Sequence, residues 1–163
     1  MNKFFRYSLY LFKHKWYVAV VCFRYGLIWR GIVHDWTKIL PCEFIPYMRR
    51  FGGVKGISSG RDKSGAYDAA NTGDEAFTKA WWHHQKHNDH HWQFWTMPGD
   101  YGKLKVLPMP EKVRKEMLAD WVGAGKAQKT NGPLEWYKEN RDKLILHDET
   151  RKWVENELGC RNN

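Results

Sequence analysis

The sequence predicts an all-α protein. Apolar residues recur at three- and four-residue steps along most of the chain, no alternating strand pattern stands out, and the one clear break is a polar stretch at residues 52–74. At 163 residues, a single domain with one core is expected over 1–163.

Residues 3–23 read as one helix, with Phe4, Tyr7, Leu11, His14, Val18 and Val21 on the apolar face. His14 thus points inward, between outward-facing Lys13 and Lys15. Gly26 and Gly31 bracket a connection that leads into Ile32-Val33-His34-Asp35-Trp36-Thr37-Lys38. Adjacent side chains on a helix diverge by about 100°, so His34 and Asp35 can face one ion only at a helix end or turn. Pro41 keeps this piece short. A further short helix is expected at 42–52, with Glu43 near its start and Arg49 and Arg50 at its end. Glu43 is either a helix-start carboxylate or a proton-transfer group facing the site. Arg49 and Arg50 are candidate phosphate contacts.

The 52–74 stretch is rich in Gly, Ser, Asp and Asn, with scattered Lys55, Arg61 and Lys63. It is expected to be a mobile lid or a solvated spacer. Asp74 or Thr72 then caps a long helix expected from Glu75 to Trp95. This helix carries Trp82-His-His-Gln-Lys-His-Asn-Asp-His-His-Trp92. On helical spacing His83, His84, His87, His90 and His91 fall within an arc of roughly 120°, continued by Phe77, Ala80 and Phe94. A buried row of imidazoles needs partners, and a metal ion supplies them. A hydrogen-bonded histidine network is the bland alternative. Turns occupy 96–110, and a helix with Pro110 in its first turn follows from Glu111 to Gly123. Asp120 sits there on an otherwise apolar stripe with Val113, Met117 and Trp121. Two closing helices, or one bent helix, cover 134–158. His147-Asp148 reads as ordinary helix surface.

The formal charge of +9 favours an anionic partner. Cys22, Cys42 and Cys160 show no metal-knuckle or disulfide spacing, so a reducing, cytoplasmic setting is expected. Neither a signal peptide nor a membrane span is evident, and no membrane partner is expected.

An inward His14, then His34-Asp35-x-x-Lys38, then a multi-histidine helix, then a lone Asp120, resembles the HD-domain superfamily of metal-dependent phosphohydrolases. The match covers about residues 8–125. The whole chain also resembles a small uncharacterised family common in bacteriophage genomes, which supplies no mechanism but suggests a host-cytoplasm location. The HD resemblance implies a helical bundle holding one or two divalent ions (Mn, Fe, Zn, Co, Ni or Mg). It implies His14, His34, Asp35 and Asp120 at a first ion, Asp35 bridging, and His87 with His84 or His91 at a second. It gives Lys38 a phosphate contact, and gives the proton-donor role to Glu43 or to a histidine outside the ligand set, His83 or His90. Metal-activated water would then attack a nucleotide or other small phosphate ester. Two rival functions follow from the same residues. One is an HD-type di-iron oxygenase, told apart by its metal and by oxygen consumption. The other is a binding protein for nucleotide or nucleic acid with a structural metal, told apart by tight binding without turnover.

Overall fold

In the computed structural model, residues 2–52 and 72–160 are described. Seven α-helices carry the fold: α1 (Lys3–Arg24), α2 (Ile28–Val33), α3 (Pro41–Phe51), α4 (Glu75–His87), α5 (Glu111–Gln128), α6 (Pro133–Asn140) and α7 (Asp148–Glu157). The protein is all-α in class, and the expected lid lies mostly outside the described residues. No helix among them is long and apolar enough to cross a membrane.

α1 is the spine. Asn2 caps it by accepting from the Phe4 amide, and Tyr7, Leu11, His14, Val18 and Cys22 form its buried face. α5 packs along that face. They come close at Gly123, where an added Cβ would collide with Val18 and lie 3.3 Å from the His14 carbonyl oxygen. A glycine is therefore required for α1 and α5 to come this close, and the contact sets His14 beside Asp120.

Three apolar clusters fill the interior. Tyr7, Leu11, Tyr47, Phe51, Phe77 and Ala80 join α1, α3 and α4. Met109, Val113, Met117, Tyr137 and Val154 are central to a second cluster under α5, α6 and α7. Val18, Cys22 and Ala119 form a small third one. Histidines and carboxylates gather among the helices that these clusters hold together.

Two expectations need correction. The helix expected to run from Glu75 to Trp95 stops at His87. Its start is as anticipated, with Asp74 accepting from the Phe77 amide at 3.0 Å. At its end Asn88 takes an extended conformation and donates to the His84 carbonyl oxygen and to Thr37 Oγ1, both at 2.8 Å. That side chain caps the helix and pins it to the segment carrying Asp35. The chain then turns, and a 3-10 helix covers Trp92–Trp95. Phe94 accordingly lies exposed rather than on the inward stripe. Also unanticipated is a short antiparallel hairpin, β1 (Thr96–Pro98) with β2 (Leu104–Val106), inside the region read as turns. Its strands are three residues each, too short for an alternating pattern to register.

Candidate metal centre

α2 ends at Val33, His34 is extended, and Asp35 takes a left-handed conformation with φ 53° before the 3-10 turn Trp36–Ile39. Aspartate tolerates this region better than most residues because its short polar side chain bonds locally. The break in helical geometry turns two adjacent side chains toward one place. Both are buried, His34 1% and Asp35 1% exposed.

Two groups of donor atoms share Asp35. The first consists of His14, His34, Asp35 and Asp120. Its separations are 3.2 Å from His14 Nε2 to Asp35 Oδ2 and to Asp120 Oδ1. They are 3.4 Å from His34 Nε2 to Asp35 Oδ2, to Asp120 Oδ1 and to His14 Nε2. Four ligands at the usual 2.0–2.1 Å from one tetrahedral ion stand about 3.3 Å apart. The second group consists of Asp35, His84, His90 and His91. Here Asp35 presents its other oxygen: Oδ1 lies 3.2 Å from His84 Nε2 and 3.4 Å from His90 Nε2. His91 Nε2 is 2.9 Å from His84 Nε2. These buried groups can hold a metal ion.

Carboxylates behind the site orient its rings. Glu116 Oε1 accepts from His34 Nδ1 at 2.9 Å and lies 3.4 Å from His90 Nδ1. Glu43 Oε2 accepts from His84 Nδ1 at 2.9 Å and from the Thr37 hydroxyl at 2.9 Å. A carboxylate only accepts, so each draws a ring proton to Nδ1, while Asp35 and Asp120 draw a second proton to His34 Nε2 that a bound ion would displace. His14 and His34 aim their Nε2 nitrogens at each other 3.4 Å apart, and His84 and His91 do so at 2.9 Å. Asp35 Oδ1 and His90 Nε2 are buried without a hydrogen-bond partner. Such atoms are costly unless a cation receives them, and the donor set fits one.

Charge in the site is arranged the same way. Burial pushes the Asp35 carboxyl up, but the charges of His34, Lys38 and His84 outweigh it and hold it well below the ordinary range. Asp120 is likewise kept ionised against its burial by hydrogen bonds to His14 and His34. Burial, reinforced by the charge of His34, lowers the pKa of His90. Burial with neighbouring His90 and His84 lowers that of His91 further. Ionised carboxylates and neutral imidazoles are the forms that bind metal; His34, whose burial is outweighed chiefly by the charge of Asp35 so that its pKa rises to about 9, must give up a proton to do so.

Lys38 Nζ lies 2.5 Å from Asp35 Oδ2, and its side chain retains 15% exposure, similar to the 17% of Asp120. These two mark the open side of the site. Glu43 is wholly buried, and its second oxygen is taken by His83 Nδ1 at 2.6 Å. It stands behind His84, with both oxygens hydrogen-bonded to His83, His84 and Thr37.

Other expected residues lie elsewhere. His87 is exposed, and its Nδ1 donates to the His83 carbonyl oxygen. It belongs to neither group. His90 stands where His87 was expected, because the chain leaves the helix at Asn88 and folds back. Arg49 is exposed, and Arg50 lies 4.8 Å over the Phe77 ring, at the end of α3 away from Glu43. Neither is brought to the two groups. His147 caps α7 by accepting from the Glu149 amide.

Sequence reasoning missed His90 as a ligand candidate and Glu116 and Arg30 altogether. Arg30 bonds both Glu116 and Asp89, tying the turn that carries His90 and His91 to α5. Lys15, expected to face outward, instead donates to the His34 carbonyl oxygen and holds that turn to α1.

Residues 3–159 match a family described as "Family of unknown function (DUF5662)", and the chain belongs to that family. No curated protein and no solved structure matches it.

Proposed function

We propose that this member of a family without an assigned activity is a metal-dependent phosphohydrolase of the HD-domain kind, acting on a nucleotide or another small phosphate ester. The observation that carries the reading is the position of Asp35. One carboxylate turns each of its oxygens to a different set of imidazole and carboxylate donors. That is the arrangement needed to hold two cations a fixed short distance apart. His14, His34 and Asp120 would complete one position, and His84, His90 and His91 the other. Imidazole predominates, which favours Mn, Fe, Co, Ni or Zn over Mg. A bound pair would supply water of lowered pKa and positive charge for the phosphoryl oxygens.

The chain's own residues divide the remaining work. Lys38 sits beside the shared carboxylate on the open side, where its ammonium can bind a phosphoryl oxygen. Burial opposes its charge, but Asp35 and Asp120 outweigh that and keep it protonated. Glu116 and Glu43 act through the histidines they orient, one serving His34 and His90, the other His84. Arg49 and Arg50 receive no role.

The test is metal analysis of protein purified without chelators, joined to a screen of nucleoside phosphates and phosphodiesters. Turnover should vanish on chelation and return with metal. Lys38→Ala should keep its metal and lose turnover by about a hundredfold or more. Metal-loaded protein that hydrolyses no phosphate ester would sink the reading. The second position, with three imidazoles to one carboxylate, also suits iron and oxygen. Iron in the protein with substrate-dependent oxygen uptake would move the assignment to an oxygenase.

A further inference from the structure

α1 is apolar on two opposite sides. Its buried face is Tyr7, Leu11, His14, Val18 and Cys22. At about 100° per residue, Phe5, Leu9, Phe12, Trp16 and Phe23 fall within an arc of roughly 60° on the other side. All five stay exposed, with Phe12 at 68% and Trp16 at 60%. α2 docks beside the end of this stripe through Gly31, which lies against Cys22 and Phe23, and adds Trp29 at 72% exposure. Scattered surface hydrophobics are ordinary, but an aligned aromatic ridge along a helix of about 33 Å is an interaction surface.

The charge beside the ridge identifies the occupant. Arg6, Lys13 and Arg24 are exposed and project roughly 70–90° from the ridge axis, forming a border along one side. Lys126 of α5 reaches the same border, 5.9 Å over the Tyr17 ring. No carboxylate precedes Asp35 in the chain, and Asp35 itself is buried. A second copy meeting this face would bring like charges together at the rim. An anionic lipid surface would satisfy both features, with rings at the acyl boundary and Lys and Arg at the headgroups. The helix is too polar on its flanks to cross a bilayer, and lying in the interface requires no crossing.

We propose that the outer face of α1, extended by Trp29, binds peripherally to anionic membrane surfaces. This departs from the sequence expectation, which was of no membrane partner. It does not depend on the metal centre, whose ligands occupy the opposite side of α1.

The experiment is co-sedimentation with vesicles of phosphatidylcholine containing phosphatidylglycerol, and with phosphatidylcholine alone. Tryptophan emission and sedimentation velocity are measured on the same samples. The full chain should bind the anionic vesicles with a blue shift in emission, and bind neutral ones far less. Phe12→Ser with Trp16→Ser, and separately Arg6→Glu with Lys13→Glu, should each weaken anionic binding by about tenfold or more. Circular dichroism melts unchanged from the parent would show that both variants fold. Failure of the parent to bind anionic vesicles overturns the proposal, as does binding that survives both double substitutions. A parent dimer that the Phe12/Trp16 variant dissociates, with vesicles left unbound, overturns it in favour of a second copy.

Discussion

Replacing Asp35 with asparagine separates the charge of the shared carboxylate from its shape. Asparagine also tolerates the left-handed backbone at φ 53°, so the turn after α2 should survive. The charge does not. In the parent, Oδ2 faces His14, His34 and Lys38, and Oδ1 faces His84 and His90. Removing one member of a buried charge cluster costs about 3–5 kcal/mol when the rest stay charged. His34 can shed its proton and Lys38 can turn toward solvent, so metal-free Asp35→Asn should lose about 3 kcal/mol or less. Metal binding should suffer more. A lost supporting contact already costs 10–100-fold in affinity, and here a direct donor to both positions is neutralised. Affinity at each should fall by more than about a hundredfold. Asp35→Ala should be worse for folding, because alanine in the left-handed region costs a further 1–2 kcal/mol or so. The assay is elemental analysis beside a thermal melt with and without chelator. Chelator should lower the melting point of the parent and leave that of Asp35→Asn nearly unchanged. Full metal occupancy in a folded Asp35→Asn would refute the shared-carboxylate reasoning and leave a hydrogen-bonded histidine network in its place.

Three further outcomes follow from the geometry. His90→Ala should lose metal from the second position while His87→Ala keeps it, read by metal stoichiometry; equal retention in both would remove His90 from the site. Gly123→Ala should destabilise by about 1–3 kcal/mol, because its Cβ meets the Val18 backbone nitrogen at 3.0 Å as well as the Val18 side chain. The same strain should lower metal content by parting His14 from Asp120, so an unchanged melt with full metal would count against the close α1–α5 contact. Chelated protein should melt highest at intermediate pH. Burial disfavours protonated His34, but the charge of Asp35 and bonds to Asp120 and Glu116 outweigh it and raise its pKa from 6.5 to about 9. That contribution is complete below pH 6.5 and lost as pH rises through about 9. Asp35 and Asp120, held well below 3.8, contribute stability present above that value and lost in acid. A melting point that keeps rising above pH 9 would contradict the His34 assignment.

What the sequence made legible, and what it hid, divides along the range of the interaction responsible. α1 was visible because its periodicity is local: each buried side chain is three or four residues from the next. The need for a turn at His34-Asp35 was visible because adjacent side chains on a helix diverge, and the left-handed Asp35 supplies that turn. Asp120 was visible as a lone carboxylate on an apolar stripe. The histidine helix misled because a helical wheel assumes that the helix continues. What ends it is Asn88, bonded to Thr37 51 residues away, and no pattern near Asn88 announces that partner. The consequence is chemical as well as geometric. Had the helix run on, His87 would share a face with His84 and His91; stopping at His87 lets His90 and His91 fold back on His84 instead.

Glu116 was open to a better reading. It lies one turn before Asp120 on the same helix, so a second buried carboxylate there called for the same question as the first. Its answer lies in two distant partners, the His34 ring and Arg30, which bonds it and Asp89 together. Nothing in the local sequence marks Arg30, yet it joins α2, α5 and the turn after α4. The residues that bear ligand atoms therefore announce themselves by chemical type, since buried histidine and aspartate require explanation wherever they occur. The residues that aim those atoms are common glutamates, arginines and asparagines, and only the tertiary contact distinguishes them from solvated surface.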